Sequence, residues 1–153
     1  MPDRSLAFDL HALTARLDRE ADRLLRTHLA LPYRRFLALV LVGEGAPTQK
    51  VLAERLGVTE PSTSRMVGVL AEAGLLEVTP DPAGGNRRRL ALSPAGKEQV
   101  EACAALLEGR FAGLVAASGV DYDRFAADTR RLVRAFDGTA PPPAPSPAPE
   151  VSP

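Results

Sequence analysis

The amino-acid sequence predicts a mainly α-helical protein with one small β-hairpin set near its middle. Long amphipathic seams lie toward both ends. Between them stand two short capped helices joined by a two-residue turn, and then two short apolar runs separated by a glycine-rich turn. Residues 5–29 place Leu6, Leu10, Leu13, Leu17 and Leu24 at intervals of four, three, four and seven, with Arg16, Arg19, Arg23 and Arg26 on other faces. That spacing is a helix whose leucine stripe needs a cover.

The next helix starts at Pro32, runs through Val42, and is closed by Gly43-Glu44-Gly45-Ala46-Pro47. Thr48 caps TQKVLAERL, which stops at Gly57, a residue suited to a left-handed C-terminal position. Thr59 caps EPSTSRMVGVLAEAG, with Pro61 in the first turn and Gly74 at the end. Only Gly57-Val58 separates the two helices, so they must cross sharply, as in a helix-turn-helix. Ala53 allows their close approach, and Leu52, Leu56, Val58, Met66 and Leu70 are expected to face inward. Thr63 takes an inward place where a larger aliphatic side chain is more usual.

Leu75–Thr79 then reads as a strand, Pro80–Asn86 as a turn, and Arg87–Leu92 as a returning strand. A hairpin directly after a helix-turn-helix is a wing. Its glycine-rich tip and the run Arg87-Arg88-Arg89 suit a reach toward phosphates or a minor groove, although three arginines can also be a solvated strand end. Alternation puts Arg88 on the face of Leu90 and Leu92, where it can instead pack across the hairpin.

Ser93-Pro94 is an N-cap followed by proline at the first helical position. Val100, Cys103, Leu107, Phe111 and Leu114 form the stripe of that helix, Ser118-Gly119 ends it, and Tyr122, Phe125, Leu132, Val133 and Phe136 mark a last helix. The terminal seams allow two arrangements: folding back as a monomeric core, or pairing with a second subunit. From Gly138 seven of sixteen residues are proline, which predicts an extended, solvated tail over 138–153.

The 153 residues carry 19 Lys+Arg against 19 Asp+Glu, so the total charge says nothing about a nucleic-acid partner. The distribution does. Residues 34–97 hold nine basic and six acidic side chains, a basic middle within an acidic frame. Cys103 is the only cysteine and sits in an apolar helical stretch, which excludes an intramolecular disulfide and a multi-thiolate zinc site and marks it as a buried small hydrophobe. His11 and His28 lack the short spacing of two ligands on one helix face, so neither metal nor cofactor is expected. No apolar run reaches about eighteen residues, and MPDRSLAFDL lacks a signal-peptide core. A soluble, cytoplasmic protein without a membrane partner is expected. No nucleophile–base pair or phosphate-binding glycine loop appears, so an enzyme is not expected.

With PTQKVLAERLGVTEPSTSRMVGVLAEAGLLEVTPDP and the later LALSPAGKE, the sequence resembles the MarR family of winged-helix transcriptional regulators over residues 5–137. The resemblance implies a homodimer, most often a repressor, built on dimerisation helices at 5–31 and 94–137 with a winged helix-turn-helix at 32–93. It further implies a pseudo-palindromic DNA duplex as partner. Thr59, Pro61, Ser62, Ser64 and Arg65 are then the recognition-helix candidates, with Arg65 suited to guanine and Thr59 also a cap. The family's wing commonly carries Asp-Arg-Arg or Asp-Lys-Arg where this chain has Gly84, Gly85 and Asn86. Either Arg87 takes the usual arginine role, with Arg88 and Arg89 on phosphates, or Asn86 makes a weaker contact. A peroxide sensor needs a cysteine near the start of the first helix, and a metal sensor needs clustered ligands; both are missing. A small aromatic or phenolic effector that releases the protein from DNA is left, with a pocket expected near His11, His28, Tyr33, Phe36 and Phe111. The competing reading is a winged-helix module for protein or ligand interaction that no longer reads DNA, favoured by the missing Asp-Arg-Arg and by Glu60.

Overall fold

The computed structural model describes residues 5–138, so the expected tail, apart from Gly138, lies outside the described residues. The elements are α1 (Leu6–Leu29), α2 (Tyr33–Gly43), α3 (Gln49–Leu56), α4 (Glu60–Glu72), β1 (Leu76–Pro80), β2 (Arg88–Leu92), α5 (Pro94–Ser118) and α6 (Tyr122–Gly138). The fold class is therefore mainly α with a hairpin wing on a helix-turn-helix, flanked by long helices. Packing divides the chain into two compact units that part between Arg110 and Phe111, inside α5.

In the first unit Leu25, Leu39, Leu52, Leu70 and Cys103 are fully buried, so one core joins α1, α2, α3, α4 and the start of α5. The hairpin contributes Leu76 and Leu90 to it. Each helix begins on a partner for its unpaired amides. Ser5 Oγ accepts from Phe8 N at 3.3 Å, Thr48 Oγ1 from Val51 N at 3.3 Å, and Thr59 Oγ1 from Ser62 N at 3.3 Å. Helix α2 starts after Pro32, which offers no side-chain cap. Asp22 of α1 substitutes: its Oδ1 accepts from Tyr33 N at 2.9 Å while Oδ2 pairs with Arg26 at 2.6 Å. The Tyr33 amide first, and then Arg26, hold the Asp22 carboxyl below its usual range.

Gly57 closes α3 at φ 66°, and Val58 N donates to Ala53 O at 3.1 Å, which makes the sharp turn into α4. Thr63 is completely buried, and its hydroxyl donates to Thr59 O at 3.1 Å. The polar atom is satisfied locally and the methyl serves the core. Val67, not named among the inward residues, is buried; Met66 and Leu56 are only half-buried beside it.

The seams differ from expectation in detail. Leu24 and its neighbour Leu25 are buried, whereas Leu6, Leu10 and Leu13 at the other end of α1 are exposed. On α5 the stripe ends at Val115 (6% exposed) rather than Leu114 (51%). Steps of four from Cys103 through Leu107 and Phe111 follow one ridge of the helix to Val115. In the second unit the Phe111 and Phe125 rings lie 6.3 Å apart, and α6 buries none of its residues. Its apolar Leu132 (60%), Val133 (54%) and Phe136 (87%) face outward.

Candidate nucleic-acid interface

β1 and β2 pair antiparallel in a register that sets Leu76 against Leu92, Val78 against Leu90 and Pro80 against Arg88. The return strand begins at Arg88, one residue later than expected. Arg87 still holds the ladder's end, its carbonyl accepting from Asp81 N at 2.9 Å. The root of the hairpin is pinned by the segment before α3. Thr48 forms a bridge with Arg89, and Leu90 N donates to Pro47 O at 2.9 Å. That third strand-like contact was invisible in the sequence, because Pro47-Thr48 reads only as a turn and a cap.

At the tip, Gly84 (φ 87°) and Gly85 (φ 77°) take left-handed conformations that side chains resist. Asp81 organises the turn: Oδ1 accepts from Ala83 N at 3.1 Å and lies 3.5 Å from Arg89 Nε. Arg89 is thus partly neutralised. Among the described residues Lys50, Arg65, Arg87 and Arg88 have no ion-pair partner.

Helix α4, the start of α3 and the wing enclose an open cleft of about 1070 Å³. Glu60, Ser64 and Gly68, spaced by four, form its α4 wall. Lys50 and Gln49 line it from α3, and Asn86, Arg87 and Arg88 from the hairpin. Arg88, the register partner of Pro80, is exposed and lines the cleft. Thr59, Pro61 and Arg65 are exposed, and Ser62 is half-exposed; Arg65 Nη2 donates weakly to Ser62 Oγ at 3.4 Å. The structure thus gathers Ser64, Asn86, Arg87 and Arg88 around one cleft and leaves Arg65 on the neighbouring surface of α4. Lys50 was missed as a site residue, and only its place in the first turn of the first helix of the pair could have suggested it.

His11, His28, Tyr33 and Phe36 lie in the first unit and Phe111 in the second. His11 and His28 are exposed on α1. Phe36, 7% exposed, belongs to the core, with its ring 6.1 Å from that of Tyr33. Burial, and then the Asp18 carboxylate bonded to it, raise the Tyr33 hydroxyl above its usual range. Phe111 stands in the second unit against Phe125. Burial likewise pushes the buried Cys103 thiol above its usual range, against a smaller opposing contribution from Gln99. Among the described residues no group of His, Cys, Asp and Glu is placed to hold a metal ion. No single described helix is long and apolar enough to cross a membrane.

The MarR family model matches residues 31–85, the helix-turn-helix and most of the wing. An uncharacterised HTH-type transcriptional regulator of Mycobacterium bovis is 34% identical over 101 residues, covering 65% of this chain and 70% of that protein. The chain belongs to the MarR family. A Mycobacterium leprae regulator of the same description matches at the same identity and coverage. The fold of this MarR-family regulator is shared with solved structures: a cysteine mutant of MarR from E. coli has TM-score 0.74 at 21% identity, covering 89% of this chain and 99% of that one. MosR from M. tuberculosis, in a complex with DNA, has TM-score 0.59 at 24% identity, covering 88% and 97%. The family is one of DNA-binding transcriptional regulators, not of enzymes.

Proposed function

We propose that this MarR-family protein is a homodimeric repressor in which α4 enters the major groove of a pseudo-palindromic operator and each hairpin reaches the flanking backbone or minor groove. One observation carries the reading: a capped helix with Arg65 and Ser64 outward, flanked by unpaired Lys50, Arg87 and Arg88 on two neighbouring elements. Thr59, Pro61 and Ser62 stand at the same end of α4, so they face the duplex with Arg65. In this reading Arg87 takes the role that Asp-Arg-Arg has in the family, and Asn86 lies beside it. A gel shift with the DNA upstream of the protein's own gene tests it. A sequence-selective, steeply salt-dependent shift is expected. Binding with no preference over random duplex refutes it in favour of an interaction module, the reading that Glu54 and Glu60 in the same cleft support.

Arg88→Ala is expected to weaken operator and random duplex alike, and to reduce the slope of log affinity against log salt by about one. A change confined to the operator would assign Arg88 to base reading instead. Arg89→Ala has a smaller expected effect, because Asp81 already neutralises part of its charge.

The assignment of 5–31 and 94–137 to dimerisation rests on apolar surface that the chain leaves uncovered: Leu6, Leu10 and Leu13 on α1, and Leu132, Val133 and Phe136 on α6. Leu132→Glu would bury a charge in that interface, so dimerisation should weaken by at least about a hundredfold in sedimentation with the helix content unchanged. A variant that stays dimeric at micromolar concentration would remove α6 from the interface. A small aromatic or phenolic effector completes the reading, and a thermal-shift screen of such compounds tests it, since a ligand of the native state raises the midpoint. No compound shifting the midpoint or releasing the operator would leave regulation to protein concentration alone.

A further inference from the structure

Ser93 does more than begin a helix. Its Oγ accepts from Gly96 N at 2.9 Å, which caps α5, and the same hydroxyl donates to the carbonyl of Gly74, two residues past the end of α4, at 2.5 Å. Ser93 N also donates to Leu75 O at 3.2 Å, and Ser93 is buried. An N-cap needs only an acceptor. Here the hydroxyl also donates, to the backbone of the turn between α4 and β1.

Gly96 tightens the same joint. A Cβ at that position would stand 2.1 Å from the Leu75 carbonyl oxygen, so any side chain would push α5 off the end of α4. One turn further, Gln99 Nε2 donates to Leu29 O at 3.4 Å, which ties the same part of α5 to the end of α1. The first turn of α5 therefore holds Gly74 and Leu75, the link that leaves the C-terminal end of α4. A thirteen-residue helix is about 20 Å long, so a tilt of about 10° at that end displaces the opposite end by roughly 3 Å. A hydrogen-bonded base contact tolerates about 0.5 Å.

We propose that Ser93 is a positioning residue for DNA reading: its hydroxyl, with the bare backbone of Gly96, fixes the angle of α4 against α5 and so the register of Arg65 and Ser64 on the bases. The proposal rests on α4 entering the groove. The test uses the full chain, a duplex that the wild type itself selects from a random pool, and a random duplex of equal length. Both are measured well below the melting midpoint of each variant. Ser93→Ala should bind the selected duplex about tenfold more weakly while random duplex changes less than about twofold, and Ser93→Thr, which keeps the hydroxyl, should restore the ratio. Gly96→Ala should shift the ratio in the same direction. Ser93→Ala with a lower midpoint but an unchanged ratio would make Ser93 a cap and nothing more. If Ser93→Ala does not fold, Gly96→Ala decides, and a folded Gly96→Ala with the wild-type ratio overturns the proposal. A wild type that selects no duplex defeats the DNA reading itself, a distinguishable failure.

Discussion

Arg65→Ala should lower affinity for the preferred duplex by about 1–3 kcal/mol, about five- to 150-fold, and leave affinity for random duplex nearly unchanged. Arg65 is exposed on α4, has no ion-pair partner among the described residues, and makes only the 3.4 Å contact to Ser62. It therefore gives up little on meeting a base. A guanidinium that pairs bidentately with guanine discriminates because no other base offers both acceptors in that geometry. Selection of preferred sequences by the variant gives a sharper readout than affinity alone: one position in each half-site should lose its preference. If both duplexes weakened equally, Arg65 would be a phosphate contact, and base reading would pass to Ser64 and the other outward residues of α4.

Leu39→Ala is expected to cost about 2–5 kcal/mol of folding stability, the largest stability effect predicted for the chain. Leu39 is fully buried at the centre of α2, within the cluster that includes Leu25, Leu52, Leu70 and Cys103. Five helices meet there, so collapse into the cavity would require all of them to move. The midpoint, measured at fixed protein concentration, should fall by about 10 °C, while Leu39→Met should cost less than about 1.5 kcal/mol. A loss below about 1 kcal/mol for the alanine variant would mean that the centre of the core lies elsewhere.

The backbone plan was legible because its signals are local. Thr48, Thr59 and Ser93 mark helix starts through their own oxygens, Gly57 marks an end through its φ, and the Gly84-Gly85 turn separates two runs of strand residues. What stayed hidden depends on residues far apart in sequence. Asp22 capping α2, Pro47 pairing with Leu90, and Ser93 reaching Gly74 are each tertiary, and no periodicity announces them. On α4 Thr63 and Leu70 are buried as expected, whereas Val67 is buried beside a half-buried Met66, because both are apolar and only packing decides how deep each sits. For the site, residue type and position in the helix pair marked Arg65 and the arginine run. The convergence of Lys50 with Arg87 on one cleft needed the fold. The histidines and aromatics carried no spacing signal.

The hairpin separates what must stay fixed from what is free to vary. Its root is held on two sides, by the ladder from Leu76 to Pro80 and by the Pro47–Leu90 bond. Its tip, from Pro82 to Asn86, touches no core residue and is exposed throughout. Residues gained or lost there lengthen or shorten the glycine turn without sliding the strands, because register is set below it. Such a loop is a natural place for related proteins to diverge in length and lettering while keeping one scaffold. The Gly84-Gly85 pair sits in that exposed tip, so the departure there leaves the strand register untouched.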